Sequence, residues 1–399
     1  MNVLTKALIA TVLLASCGKT ETGAETGAPV DPGLEPCEKA PGTGCTWAGT
    51  GLAGFNGDGL TLTESMLYFP FDVEFSDYAP ATVVDWNNHK IRQVKTDGTF
   101  ETVMGTDFLG DGDPEMLDMT EAGAPGTTVN LNHPTEVIYW PDGVGLVASW
   151  HTHKLRSFDT DADHTTRVVL GFGVGFMPGD DEAPADEVQM NQPSHVEFLP
   201  NGDVVICDMR NLKLRVWTTR DTVYTLAGTG DKGYSGDGGP AIDAVFSFPK
   251  SENPEPGGAL AVGPDGRLYI ADTENSMIRV IDIETGIVDR FAGSPTAEAG
   301  FAEGDRLTSA MFNFPRDIEF TKDGSTMLVA DDKNHRIRAI DMATGAVSTI
   351  IGTGNLGYNG ENVDALSADL NRPFGVAVDQ DDNIYVSDTH NHRIRVFYR

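Results

Sequence analysis

Seven ionisable side chains occupy related positions along this chain, and they belong to the residue types that bind metals. Four of them stand two residues after a proline that opens a β-branched or aromatic run: Asp72, Glu136, His195 and Asp317. Three more are histidines close in sequence to Glu136, namely His133, His151 and His153. Imidazoles and carboxylates bind zinc or calcium when they converge at a concave site. The residue types therefore predict a divalent metal site if the fold gathers them on one face.

The same residues have a second interpretation. Polar side chains around a water-filled channel can hydrogen-bond to one another and bind no ion. Sequence spacing leaves both interpretations open, because a shift of one residue in a strand turns every side chain to the opposite face.

A recurring phrase sets the positions of these side chains. It reads DTHNHRIR at residues 388–395, and further copies occupy 85–92, 149–156 (degenerate), 208–215, 272–279 and 331–338. The copies start 64, 59, 64, 59 and 57 residues apart. A near-constant period indicates a repeat architecture in which each copy is one supersecondary unit.

Each unit predicts four short strands. β-Branched and aromatic runs alternate with turns rich in Gly, Asp, Asn and Pro, and no stretch after residue 46 has helical periodicity. Six such units predict an all-β, six-bladed β-propeller of four-stranded antiparallel blades, because radial closure avoids long exposed edges. The expected blades are about 66–106, 130–173, 188–230, 244–294, 310–354, and 368–399 with 46–51.

The last blade needs a strand from elsewhere in the chain. No fourth run follows the sixth phrase, whereas TWAGTG at 46–51 matches the fourth-strand phrase TLAGTG at 225–230. We therefore expect the N-terminal strand to complete the last blade and close the ring. Blade four carries an insertion, Lys250–Gly257, that is expected to overhang the channel.

The repeat resembles the NHL repeat. The phrases at Tyr269–Val280 and Tyr385–Val396 carry its Asp, Asn and Ile-Arg spacing, and the run at 230–241 is similar to inter-blade loops of bacterial NHL proteins. The resemblance covers roughly residues 46–399. It implies the fold and leaves the activity open, because propellers host many unrelated functions.

The active-site motifs of two groups of propeller enzymes are missing from this sequence. The amidating lyases, NHL-like zinc propellers, place metal-binding His residues directly after the blade-opening Pro. The matching positions here are Phe71, Thr135, Ser194, Arg316 and Phe374, so that triad is absent. The Glu-Gly-Pro start of gluconolactonase-type propellers is also absent, and no Ser/His/Asp or Cys/His arrangement can be assembled from spacing.

Two residues of the phrase are predicted to be structural. The Asp that ends each second strand can accept backbone N–H groups in the following turn, and the last Arg lies in a covered strand where it must be paired. The Asp residues are Asp85, Asp208, Asp272, Asp331 and Asp388. The Arg residues are Arg92, Arg156, Arg215, Arg279, Arg338 and Arg395. Three Gly-Asp-Gly loops, at 57–59, 110–112 and 236–238, lack the spaced ligands of a calcium loop and are predicted to be turns.

The N-terminal segment predicts export. Residues 1–16 hold one charge and an apolar run too short to span a membrane, which is typical of a signal peptide. LASC at 14–17 resembles a bacterial lipobox and would make Cys17 the lipidated first residue; the alternative is an ordinary signal peptide with a chance cysteine. Residues 17–45 predict a disordered tether, with a disulfide between Cys37 and Cys45 near its end.

The composition of the chain argues against nucleic acid as a binding partner. The chain has 60 acidic and 28 basic residues, a net charge of −32, whereas nucleic-acid binding needs a basic footprint.

We expect residues 46–399 to form a monomeric propeller, anchored by its lipid to the bacterial envelope. Gly18 favours the outer membrane and leaves the periplasmic or surface-facing side open. The predicted function is a binding or scaffolding module that recognises a protein or polysaccharide through its loops. The alternative is a metal-dependent hydrolase or lyase at the channel mouth.

Overall fold

The computed structural model describes residues 37–171, 182–250 and 255–399, all within the unit Glu35–Arg399. The predicted signal peptide, Cys17 and most of the predicted tether lie outside the described residues. Over the described ranges, the structure contains no helix long and apolar enough to cross a membrane.

Six antiparallel sheets, each with four main strands, make up the fold. The first strands are Pro70–Glu74, Pro134–Tyr139, Pro193–Phe198, Leu260–Val262, Pro315–Phe320 and Pro373–Val378. The second strands are Thr82–Asp85, Gly145–Ser149, Val204–Asp208, Leu268–Asp272, Thr326–Asp331 and Ile384–Asp388. The third strands are Lys90–Val94, Lys154–Phe158, Lys213–Trp217, Met277–Asp282, Arg336–Asp341 and Arg393–Phe397. The fourth strands are Phe100–Met104, Thr166–Leu170, Thr222–Ala227, Ile287–Gly293, Ala346–Ile351 and, for the last sheet, Thr43–Ala48.

The six first strands form a closed ring. Each contacts the first strands of the sheets on both sides, including the pair Pro70–Glu74 and Pro373–Val378 that joins the first sheet to the last. Apolar side chains fill the spaces between neighbouring sheets, as where Val205 and Leu214 of the third pack with Leu268 and Ile270 of the fourth. The predicted six-bladed propeller is confirmed.

The N-terminal strand completes the last blade, as predicted. Thr43–Ala48 pairs antiparallel with Arg393–Phe397, so the strand begins three residues earlier than Thr46. Cys45 of this strand forms a disulfide with Cys37, and Cys207 is a buried free thiol. Closure therefore depends on the two ends of the described propeller pairing with each other.

Four blades carry a short fifth strand that the sequence pattern did not predict. These strands are Glu182–Pro184, Gly239–Pro240, Gly304–Asp305 and Val363–Asp364. Each pairs with the outer edge of a fourth strand. The outer edge of each of these blades is thus covered by the loop that enters the blade from the preceding one.

Each recurring phrase forms a short 3₁₀ turn between the second and third strands. The six turns are Trp86–Asn88, Trp150–Thr152, Met209–Asn211, Thr273–Asn275, Asp332–Asn334 and Thr389–Asn391. We call the end of the propeller with these turns the loop face, because the inter-blade loops leave and enter the blades there. The opposite end, with the hairpins between first and second strands, is the hairpin face. Four more 3₁₀ turns lie in the inter-blade loops: Leu117–Met119, Gly126–Thr128, Ala241–Asp243 and Ala365–Ser367.

Candidate functional site

A cavity of about 290 Å³ lies inside the ring of first strands. Its lining runs from Asp72, Glu136 and Asp317 near the starts of first strands to the hairpin residues Asp77 and Lys322. It therefore extends along the propeller axis to the hairpin face.

Strand register places acidic side chains in two tiers along this cavity. Residues two apart in a strand face the same side, so the pairing of first with second strands defines equivalent positions in all blades. The upper tier, nearer the loop face, consists of Asp72, Glu136, His195, Ala259, Asp317 and Gly375. The lower tier, nearer the hairpin face, consists of Glu74, Ile138, Glu197, Ala261, Glu319 and Ala377. The three glutamates of the lower tier thus come from alternate blades.

The upper tier holds two contacts that fix its geometry. His195 Nε2 lies 3.5 Å from Glu136 Oε2. Asp317 accepts backbone N–H groups from Ile318 and from Val376 of the next blade, both at 2.8 Å. A side chain at Gly375 would collide, because its Cβ would lie 2.7 Å from the Phe71 carbonyl oxygen.

Burial raises the pKa of all six acidic side chains of the two tiers. For most of them, the charges of neighbouring carboxylates in the cavity raise the pKa further. It raises the pKa of Asp72 to about 6, that of Glu319 to about 7 and that of Glu197 to about 8. The pKa values of Glu74, Glu136 and Asp317 are raised well above the ordinary range for the same reason. Burial, followed by the charge of Arg316, lowers the pKa of His195 to about 3, so its imidazole is neutral.

The cavity is closed at the loop face. Directly after the blade-opening prolines, Phe71 packs on Phe374, and the guanidinium of Arg316 lies 3.8 Å from the centre of the Phe374 ring. Thr135 donates to the Ser194 carbonyl, and Ser194 donates to the Gly257 carbonyl. These are the positions that hold metal ligands in the amidating lyases, and here they form a plug.

The part of the blade-four insertion at 251–254 lies outside the described residues, and its end, residues 255–257, contacts this plug. Glu255 binds Arg316 of blade five at 2.9 Å and Arg372 of blade six at 2.7 Å. Both arginines also bind Asp332. Asp72, Glu136 and Asp317 therefore face a cavity that begins below this plug and extends to the hairpin face.

The seven predicted metal-binding residues do not form one group. His133 and His151 lie at the loop face, where their Nδ1 atoms are 3.1 Å apart and both approach Asn132 Oδ1. His153 accepts a hydrogen bond from the backbone N–H of Gln192. In the three described ranges, no three His, Cys, Asp or Glu side chains are grouped so that they could hold a metal ion.

The position of His153 recurs as a contact between blades. The residue that ends the 3₁₀ turn accepts the backbone N–H of the residue before the next blade's opening proline. We call these contacts staples: His89 to His133, His153 to Gln192, Ser276 to Phe314, His335 to Arg372 and His392 to Phe69. An accepting Nδ1 is unprotonated, which fits the lowered pKa of His89, His153 and His392, each about 4 because of burial.

The recurring Asp and Arg residues connect the turns to the loops. Asp331 accepts the Asn313 N–H, Asn334 and Arg338, and Arg338 also donates to the Ala302 carbonyl of the inter-blade loop. Equivalent Asp contacts occur at Asp85, Asp208, Asp272 and Asp388. Equivalent Arg contacts to an Asp or to a loop carbonyl occur at Arg92, Arg215, Arg279 and Arg395. In the degenerate blade, Arg156 pairs with Asp111 and Asp118 instead.

The Gly-Asp-Gly loops are held by these arginines, which the turn prediction did not include. Asp58, Asp111 and Asp237 each lie within 3.4 Å of the Arg of their blade. In four blades, the Asn of the recurring phrase donates to the backbone carbonyl of a glycine in the inter-blade loop. The aromatic residue that follows this glycine packs over the guanidinium of the recurring Arg. The pairs are Gly54-Phe55, Gly233-Tyr234, Gly300-Phe301 and Gly357-Tyr358. These four inter-blade loops are therefore held to their blades by specific contacts.

Exposed apolar side chains concentrate on these loops. Eleven large apolar side chains in the described ranges are exposed, and ten of them lie between the fourth strand of one blade and the first strand of the next. The ten are Leu52, Phe108, Leu109, Met116, Leu117, Ile242, Phe301, Leu307, Leu356 and Leu366. The exception, Tyr78, lies in a hairpin. Fixed loops with exposed apolar groups suit recognition of another molecule.

Comparisons with known proteins agree with the repeat pattern. Residues 370–397 match the NHL repeat model. Human NHL repeat-containing protein 2 is 24% identical over 363 residues, which covers 84% of this chain and 47% of that protein. SUPPRESSOR OF QUENCHING 1 of Arabidopsis thaliana is 28% identical over 255 residues, which covers 62% of this chain and 23% of that protein. The chain spans less than half the length of these curated relatives.

Solved structures show the same fold. An auxiliary nutrient binding protein from Bacteroides thetaiotaomicron superposes with a TM-score of 0.60 at 15% identity, covering 88% of this chain and 75% of that chain. The protein of the same description from Bacteroides ovatus gives 0.58 at 15% identity, covering 89% and 76%. The chain is thus a six-bladed β-propeller whose last blade, which contains the phrase at 388–395, matches the NHL repeat.

Proposed function

We propose that this chain is a lipid-anchored, extracytoplasmic binding module that recognises a protein or polysaccharide through its inter-blade loops. The observation that carries the proposal is that, of the eleven exposed large apolar side chains in the described part of the chain, ten lie on those loops. Large exposed side chains scattered over a surface need no explanation, whereas their concentration on one set of elements favours a binding surface.

The rigidity of the loops supports the same proposal. The loop that carries Phe301 is held by Asn334 and Arg338, and the loop that carries Leu356 is held by Asn391. A preorganised surface loses less conformational entropy when it binds. Solved propellers of this fold that are described as nutrient binding proteins are consistent with a binding role.

The recognition test uses loop variants of the full-length protein. Phe108→Ser/Leu109→Ser and Leu356→Ser remove exposed loop side chains, and Tyr78→Ser removes the exposed side chain of the hairpin face. Binding to isolated envelope fractions, before and after protease or glycosidase treatment, distinguishes a protein from a polysaccharide. We expect the loop variants to bind at least tenfold more weakly and the Tyr78 variant to bind normally. Equal binding by all variants would refute loop recognition.

The anchor rests on the lipobox-like sequence that ends at Cys17. Mass spectrometry of the mature N-terminus should find diacylglycerol on Cys17, and the parent protein should fractionate with outer membranes. Cys17→Ser should release the protein from membranes. An unmodified mature N-terminus beyond Cys17 would support the ordinary signal peptide and refute the anchor.

A further inference from the structure

We propose that the axial cavity binds an aliphatic diamine or polyamine, with one ammonium group at each tier of carboxylates. This site lies on the axis and extends to the hairpin face, so it is separate from the loop recognition proposed above. Among the described residues, the lining carries seven carboxyl groups and one cation, Lys322; the carboxyl groups are those of Asp72, Glu74, Asp77, Glu136, Glu197, Asp317 and Glu319. Lys322 forms no ion pair within the described residues.

The carboxylates lack counter-charges that the fold supplies to its other buried acids. Asp85, Asp208, Asp272 and Asp331 are each paired with an arginine. Asp72 is 9% exposed and has no cationic partner, and Glu74 forms no hydrogen bond in the described ranges. Carboxylates that are buried or half-buried and lack cationic partners are costly, so we explain this arrangement by a ligand that supplies positive charge.

His195 is an independent sign that a hydrogen-bonding partner is missing from the upper tier. Its side chain is on the same strand face as Glu197, which lines the cavity, and the residue is 3% exposed. Its Nε2 lies 3.5 Å from the Glu136 carboxylate. Its Nδ1 is buried and has no hydrogen-bond partner in the described ranges. The upper tier therefore holds a buried polar atom without a partner in addition to its carboxyl groups.

The shape of the site favours an elongated amine over a single ion. No three of these side chains are grouped so that they could hold a metal ion, within the residues described. The tiers are two residues apart along the strands, which corresponds to about 7 Å. An extended chain of about four carbons places two ammonium groups at about that separation, given single bonds of about 1.5 Å. Ile138 and Leu260 supply apolar wall for its methylene groups.

The number of carboxyl groups in each tier also fits a primary ammonium group. A primary ammonium has three N–H donors. The lower tier offers three carboxylates from alternate blades, Glu74, Glu197 and Glu319, and the upper tier offers Asp72, Glu136 and Asp317. Each ammonium would thus lie beside a tier that carries three carboxyl groups.

The test measures binding of diaminobutane, spermidine and aminobutane to the full-length protein by isothermal titration calorimetry. The cavity variant is Glu197→Gln/Glu319→Gln. The matched control, Glu187→Gln/Glu284→Gln, removes the same charge from exposed positions. Thermal unfolding of all three proteins establishes that they are folded.

We expect saturable binding of diaminobutane or spermidine at one site, at least tenfold weaker binding of aminobutane, and at least a tenfold loss in the cavity variant with no change in the control. Equal weakening in both variants would show nonspecific attraction to an acidic protein and would refute the site. Binding of calcium or zinc that depends on Glu197 and Glu319, without binding of either amine, would also overturn the proposal and assign a metal site.

Discussion

At the scale of single residues, the acidic side chains inside the propeller form two groups that differ in their hydrogen-bond and charge partners. Asp331 is held by a backbone N–H, Asn334 and Arg338, and so contributes to the scaffold. Among the described residues, Glu197 and Glu319 accept only the backbone N–H of the next residue, and both line the cavity. The second group carries a free-energy cost in the folded protein, because buried charges without counter-charges are unfavourable.

This cost predicts that stability depends on pH. The pKa is about 8 for Glu197 and about 7 for Glu319 in the folded protein, against an ordinary 4.5 in the unfolded chain. The folded state therefore binds more protons between these values, so the free energy of unfolding falls as the pH rises from 4.5 towards 8. Glu197→Gln/Glu319→Gln should be more stable than the parent at about pH 8 by about 2 kcal/mol, measured by urea denaturation.

At about pH 5 the same substitution should change stability little, because both acids are protonated in the folded parent. The other acidic groups that line the cavity are present in both proteins, as is Lys322; they are Asp72, Glu74, Asp77, Glu136 and Asp317. Glu187→Gln/Glu284→Gln serves as the control. A gain of the same size at both pH values would contradict the raised pKa values.

Among the elements, the staples connect neighbouring blades at the loop face. His392 of the last blade accepts the backbone N–H of Phe69, which opens the first blade. His392→Leu leaves that N–H without an acceptor, so we expect a loss of about 1–2 kcal/mol in the free energy of unfolding at neutral pH. His164→Leu, outside the staples, is the control.

The effect of His392→Leu should diminish in acid. The pKa of His392 is about 4 in the folded protein and 6.5 when unfolded. Below pH 6.5 the unfolded parent takes up a proton first, so the stability that depends on neutral His392 is lost as the pH falls towards 4. A difference between parent and variant that grows on acidification would contradict the staple.

The sequence predicted the strands of each blade more completely than it predicted the residues that line the cavity and the end at which the cavity closes. Four runs per phrase defined every blade, and the match of 46–51 to 225–230 identified the closing strand. Upper-tier residues such as Asp72 followed from their spacing after proline. The lower tier was missed, although Glu74, Glu197 and Glu319 stand two residues further along the same strands and so face the same side. The end at which the cavity closes could not be predicted, because it depends on packing between Phe71, Phe374 and Arg316 from different blades.

For the whole molecule, ring closure depends on the N-terminal strand and its disulfide. Cys37→Ser/Cys45→Ser removes the bond that ties residue 37 to the closing strand. A disulfide over a short loop contributes about 2–3 kcal/mol, so the variant should unfold at a lower temperature. Backbone amides of Arg393–Phe397 should exchange hydrogen faster, as measured by mass spectrometry. Unchanged exchange in that strand would show that closure does not need the disulfide.

The most direct test of loop recognition is site-specific photocrosslinking in intact cells. A photoreactive phenylalanine analogue would replace Phe108, Phe301 or Tyr78, one at a time; the first two lie on inter-blade loops and the third lies in a hairpin. We expect crosslinked protein or polysaccharide adducts from the two loop positions and none from Tyr78. Adducts from Tyr78 alone would contradict recognition through the loops and would place the partner at the hairpin face.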